Sequence, residues 1–206
     1  MEVAWNGGLK VAVGVLLLTV ATGALAQVAG PWYVGASVGR SEFKDACNGL
    51  PAGFSCDNKG TAGRLFGGYQ FHRNWAVEFG YDDFGKATAS GVVGGVGVNG
   101  SGKSSAWELT AVGSVPLGHE FSLYGKAGAY QAHTKVSATG TLGAFTATAS
   151  GTDNNTGLTV GAGTMYDFTK AFQLRAEWQR YAKVGGNNTG GKNDIDVLGV
   201  GFVVKF

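Results

Sequence analysis

Four groups of residues have the types and spacing to do chemistry. Gly97-Val98-Asn99-Gly100-Ser101-Gly102-Lys103-Ser104 spells the glycine-rich phosphate loop, in which backbone amides and a lysine hold nucleotide phosphates. His72, His119 and His133 are metal ligands or general bases by type, and Cys47 and Cys56 are a pair that could be oxidised. Six charged residues, Arg64, Glu78, Glu108, Lys126, Arg175 and Glu177, interrupt stretches that otherwise alternate between apolar and small residues.

Most of these groups lack the partners their chemistry needs. A phosphate loop requires a strand before it and a helix after it, so that a helix N-terminus faces the anion. Here the motif lies in a polar connection, Gly85 to Ser105, and a strand-like stretch follows from Ala106. No nucleotide is expected. The histidines are too scattered to converge on a metal, and two cysteines with no histidine beside them make a poor zinc site. His133 with a nearby Ser or Thr is the only base–nucleophile pair, and no third group to orient it is evident, so an enzyme is not expected. Cys47 and Cys56 share one loop-like stretch, Asp45 to Lys59, and a disulfide closing it is expected in an oxidising compartment.

The six charges take their meaning from the elements that carry them. Eight stretches alternate with period two, the pattern of strands whose faces meet different surroundings. They begin at Trp32, Arg64, Trp75, Trp107, Phe121, Leu158, Phe172 and Val197. One set in each is apolar, such as Trp75, Val77, Phe79 and Tyr81. The other holds the charges and many glycines, such as Glu78 and Gly80. Short turns follow Phe71, Val115 and Tyr166, whereas long polar connections run over 41–61, 85–105, 133–156 and 181–193. This is an up-and-down meander, and an even number of strands lets it close without an unpaired edge.

A soluble barrel would put the apolar set inside. A small barrel has no room for eight apolar rows, and the charges would then have to face outward by chance. The simpler arrangement sets the apolar face to lipid and the charges inside, in a closed ring that pairs every backbone group. Aromatic residues near the strand ends, among them Trp32, Tyr69, Trp75, Tyr81, Trp107, Tyr166 and Trp178, suit interfacial girdles. The fold class expected is therefore all-β: an eight-stranded antiparallel up-and-down transmembrane β-barrel. The interior charges, three basic and three acidic, leave two readings open: a salt-bridged plug that fixes strand register, or a polar path for water and ions.

Composition agrees. The chain has 206 residues, with 37 glycines, 12% aromatic residues and 15% charged residues. The 16 basic and 14 acidic residues leave +2, which gives no electrostatic case for nucleic acid. Residues 1–26 read as an export signal: an apolar run from Val11 to Val20, then Ala24-Leu25-Ala26 as the cleavage site, with residues 27–206 as the mature barrel domain. A retained N-terminal anchor is the rival reading, disfavoured by the shortness of the run.

A family resemblance rests on several short stretches in order: Trp32-Tyr33-Val34-Gly35-Ala36, Phe66-Gly67-Gly68-Tyr69-Gln70, Glu78-Phe79-Gly80-Tyr81-Asp82, Leu109-Thr110-Ala111 and Arg175-Ala176-Glu177-Trp178-Gln179. Through these the chain resembles the transmembrane domain of the OmpA family of outer-membrane proteins, over essentially all of 27–206. The resemblance implies periplasmic turns, extracellular loops, and contact with outer-membrane lipid and lipopolysaccharide. It also implies a C-terminal signal, here Val204 and Phe206, read by the outer-membrane assembly machinery. Many members continue into a peptidoglycan-binding domain, and since this sequence ends at Phe206 that tether is not expected. The family's narrow pore is gated by four interior charges. Glu78 and Arg175 retain two of these positions, and Val112 and Met165 occupy the other two. No cofactor is implied. The expected role is structural support of the envelope with loops free for surface ligands. The alternatives are a low-conductance pore lined by the six charges and a lipid-directed enzyme or hydrophobic-molecule channel.

Overall fold

The computed structural model describes residues 30–50 and 53–206, so the expected export signal lies outside the described residues. Nine strands follow in chain order: β1 (Trp32–Phe43), β2 (Ser55–Asp57), β3 (Lys59–His72), β4 (Trp75–Val93), β5 (Val96–Gly118), β6 (Phe121–Leu142), β7 (Phe145–Asp167), β8 (Phe172–Gly186) and β9 (Gly191–Lys205). Eight of them form the barrel. Each pairs antiparallel with its neighbours in sequence, and β9 returns to β1 from Tyr33↔Lys205 to Phe43↔Ile195. The ninth, β2, pairs only with Thr88–Ser90 of β4. It belongs to the connection stapled by a Cys47–Cys56 disulfide.

The alternation sorts side chains as a lipid-facing barrel must. Leu65, Phe79, Trp107, Leu109, Leu158, Leu198 and Val200 are exposed on the outside, whereas Glu78, Glu108, Lys126 and Arg175 are buried. Trp32 packs on Tyr69 and Phe121 on Tyr166 at one edge of the apolar band, and Tyr81 packs on Trp107 at the other. From Trp107 to Val115 the strand climbs roughly 20 Å along the membrane normal, at ~3.4 Å per residue and a tilt of ~40°.

The structure corrects the reading of three long connections: of 181–193 only residues 187–190 lie between strands, since β8 runs to Gly186 and β9 starts at Gly191. Residues 85–105 and 133–156 are not loops: β4 and β5 stay paired up to Val93↔Val96, and β6 and β7 up to Leu142↔Phe145. They form two β-hairpins standing on the barrel, joined into one four-stranded sheet by β5–β6 pairing up to Gly97↔Thr141. The first turns through Gly94 and Gly95, both with positive φ (56° and 82°), as a two-residue turn between twisted strands requires. The turns at the opposite end are also short, His72↔Trp75 and Gly118↔Phe121.

Candidate functional site

The barrel interior is built in layers. At the level of the short turns, Tyr33, Phe66, Ala76, Val112, Tyr124, Met165 and Val203 make an apolar layer. Val112 and Met165, the positions at which the family resemblance expects gating charges, lie in this seal. Beneath the hairpins a second apolar layer gathers Phe43, Phe84, Tyr130, Tyr181, Val184 and Ile195, with Phe84 and Tyr181 edge-to-face at 4.6 Å.

Between the layers lie all six of the charged residues singled out above. Glu78, fully buried, accepts hydrogen bonds from Tyr33 Oη (2.8 Å), Arg64 Nη2 (3.0 Å) and Arg175 Nη1 (2.5 Å). Glu108 lies 2.5 Å from Arg64 Nη2 and accepts from Gln179 Nε2 (2.5 Å) and Tyr181 Oη (2.9 Å). Glu177 accepts from Lys126 Nζ (2.6 Å) and Tyr124 Oη (2.5 Å). Arg64 is the hub, within 4 Å of Glu78, Asp82, Glu108 and Glu177. Arg175 is flanked by the rings of Tyr33, Phe66 and Tyr124 at 5.1–5.4 Å. Burying so many charges is tolerable only because each has opposite charges and hydrogen bonds around it.

The expected balance of three against three needs correction. Asp82 is also buried here, 3.7 Å from Arg64 Nε, and its Oδ2 has no hydrogen-bond partner. The layer therefore holds four carboxylates and three cations. Asp82 shares the inward parity of Glu78 and Gly80, so the signal was present in the sequence. The tyrosines were less legible: Tyr33 and Tyr124 share the inward parity and Tyr181 falls in an expected connection, but only the structure sets their hydroxyls on carboxylates. The glycines make room as much for these rings as for charges: a Cβ on Gly68 would run into the ring of Tyr33. The free space left among Arg64, Asp82, Arg175, Glu177 and Gln179 is about 30 Å³, room for a water molecule or two.

The other candidates come apart. Residues 97–104 are part of β5, paired on both sides with β4 and β6, so their amides serve the sheet and cannot cradle a phosphate. His72 and His119 stand at the short turns. His133 faces outward on β6 with its Nδ1 2.6 Å from Asn154 Oδ1, and its cross-strand neighbour is Ser105. The structure thus supplies the orienting group that sequence reasoning did not find. Ser105, however, is not hydrogen-bonded to His133, and its backbone lies between two paired strands, which leaves no amides for an oxyanion. Among the described residues no group of three or more His, Cys, Asp or Glu is arranged to hold a metal ion.

With this geometry established, residues 27–206 match the OmpA-like transmembrane domain. The chain belongs to that family. It is 27% identical over 209 residues to outer membrane protein A of Klebsiella aerogenes, covering 96% of this chain and 55% of the relative, so it spans about half the relative's length. Among solved structures, neisserial surface protein A aligns with a TM-score of 0.53 at 19% identity, covering 87% of this chain and all of that one. OprG of Pseudomonas aeruginosa aligns with a TM-score of 0.56 at 13% identity, covering 86% of this chain and 97% of that one. At such identities these two speak to the fold alone. This family member is a multi-pass protein of the Gram-negative outer membrane, its apolar band in contact with lipid.

Proposed function

We propose that this protein is a structural element of the outer membrane: a barrel with a filled lumen that supports the envelope and makes its contacts on the outside, with no catalytic role. The observation that carries this reading is the layered interior, an ionic network closed on both sides by apolar layers. Eight strands leave a bore that side chains can fill, and here they leave about 30 Å³ beside the ionic network, with wider spaces of about 120 Å³ at the short-turn end and about 290 Å³ under the hairpins. A conducting path would have to break several buried ion pairs together and also part an apolar layer. In this reading residues 1–26 are removed on export. Val204 and Phe206, which face outward beside the closing seam, serve the assembly machinery as the end of the last strand.

The test is single-channel recording on residues 27–206 refolded into planar bilayers, with a heat-dependent gel shift to confirm the closed barrel. The expected result is a folded, silent barrel in which Glu78→Gln lowers stability without opening a conductance. Reproducible openings altered by Glu78→Gln or Arg175→Gln would overturn the reading in favour of a low-conductance pore.

A further inference from the structure

The outer rim of the barrel carries charges in two contrasting arrangements. On the β1–β9–β8 side, opposite charges meet. Arg180 makes two hydrogen bonds to its cross-strand partner Asp196, at 2.6 and 2.7 Å. Glu42 and Asp196, two acids opposite one another, are bridged by Lys44 at 3.3 and 3.4 Å. On the β4–β5–β6 side the pattern is different. Lys86 pairs with Lys103, and Lys103 with Lys135, so three lysines stand side by side on adjacent strands and the same outward face. All three are exposed. Directly opposed residues have their Cβ atoms about 5 Å apart, and like charges in that relation are destabilising. Only Asp83, 2.8 Å from Lys103, answers them; among the described residues Lys86 and Lys135 have no acidic partner. Where acids crowd, the chain supplies its own cation; where lysines crowd, it supplies one anion for three.

The height of the row indicates what supplies the rest. Lys103 lies four residues above Trp107 of the upper aromatic girdle, about 10 Å along the membrane normal at ~3.4 Å per residue and the usual tilt, within the headgroup layer. Below Lys86 and Lys103 the lipid-facing surface is concave, from Trp107 of β5 and Tyr81 of β4 across β3 to β1 and β9. Gly67 and Ala36 form the floor of an apolar groove of about 800 Å³, walled by Phe79, Tyr81, Trp107 and Phe202. A cationic row above an apolar groove matches an amphiphile with a phosphorylated head and acyl chains.

We propose that Lys86, Lys103 and Lys135 bind the phosphates of an outer-leaflet glycolipid, one of whose acyl chains occupies the groove over Gly67 and Ala36. This site goes beyond the structural role, since a pore and a filled barrel could carry it equally. Its failure would therefore leave the reading of the interior untouched.

The experiment uses the folded barrel in detergent, its closure checked by the heat-dependent gel shift, and native mass spectrometry with bisphosphorylated lipid A as the probe. The expected result is binding that weakens at least tenfold in the triple variant Lys86→Gln/Lys103→Gln/Lys135→Gln. The charge-keeping triple Lys→Arg variant should bind as wild type, and Lys59→Gln/Lys183→Gln/Lys192→Gln, elsewhere on the rim, should change binding less than twofold. Dephosphorylated lipid A should bind more weakly than the bisphosphorylated form. Equal binding by wild type and the row variant, an equal loss in the control variant, or indifference to the phosphates would overturn the proposal. Inositol hexakisphosphate binding as tightly as lipid A would also overturn it, because a soluble polyanion makes no use of the groove.

Discussion

The interior charges are not equivalent, and the difference follows from how each is partnered. Glu78 accepts from two guanidinium groups and a tyrosine with no exposure to solvent, so removing its charge takes from Arg175 its carboxylate partner, while Arg64 keeps Asp82, Glu108 and Glu177. Glu78→Gln should cost about 3–5 kcal/mol, the usual penalty for breaking a buried ion pair from one side. Asp82 is the fourth carboxylate facing three cations, with one ion contact at 3.7 Å and one oxygen unpartnered. A buried charge held so loosely is paid for mainly in desolvation. Asp82→Asn should therefore leave stability within about 1 kcal/mol of wild type or raise it. Urea unfolding of the two variants in the same lipid or detergent separates them, and equal losses would mean that Asp82 is as well satisfied as Glu78. Gly68→Ala acts on the same network from behind. The added methyl meets the Tyr33 ring, so the hydroxyl on Glu78 must move, and the folded fraction should fall.

At the scale of the strands, what could be read from the sequence depends on what each face meets. Within the apolar band one face meets lipid and the other the lumen, and the contrast writes period two into β3, β4 and β6 plainly enough to place Arg64, Glu78 and Lys126 inside. Above the band both faces meet water, and β4–β5 and β6–β7 continue in Gly, Ala, Ser, Thr and Val with no alternation of size or polarity. The hairpins were therefore invisible as strands, although Gly94-Gly95 is itself a hairpin signal. The lysine row was hidden for a different reason. Counting by twos from Trp75 puts Lys86 on the inner face; the register shift between Asp83 and Lys86 turns it outward, beside Lys103. Bulges of this kind are set by pairing across strands and cannot be counted along one. The opposite side of the rim offers a test by pH. Asp196 lies above the girdle, and the Arg180 hydrogen bonds, with Lys44 nearby, hold its carboxyl below the ordinary range of an aspartate. A depressed carboxyl contributes stability that is present above the unfolded-state pKa and is lost as pH falls through the folded one. Asp196→Asn should thus be less stable than wild type at pH 7, and the gap should close as the pH is lowered below the usual aspartate range. A gap that persists in acid would point to packing instead of charge.

For the whole molecule, a filled lumen and projecting hairpins imply that stability and contact-making are separable. The membrane-embedded barrel closes on its own seam, with its ionic layer and both apolar layers formed by residues at or below the rim. The β6–β7 hairpin extends well past that level and carries no charged residue between Val136 and Thr152. Its tip exposes Leu142 and Phe145, the latter at 81%. Apolar side chains that contribute nothing to a core are the part of such an element best suited to a partner. Ser137 and Ser150 are opposed in the register, so residues 138–149 can be exchanged for an Asn-Gly turn without disturbing the strands below, including Lys135. The shortened protein should keep its heat-dependent gel shift and unfold in urea within about 1 kcal/mol of wild type, because the residues removed, and the pairing of 138–141 with Gly97–Gly100 of β5 that goes with them, stand above both apolar layers and bury no core. It should also keep its lipid A binding while losing any surface contact that the tip makes. If the shortened chain instead fails to close, the hairpin belongs to the folding unit: pairing of β6 with β7 would then have to begin above the membrane to bring the later strands to the seam.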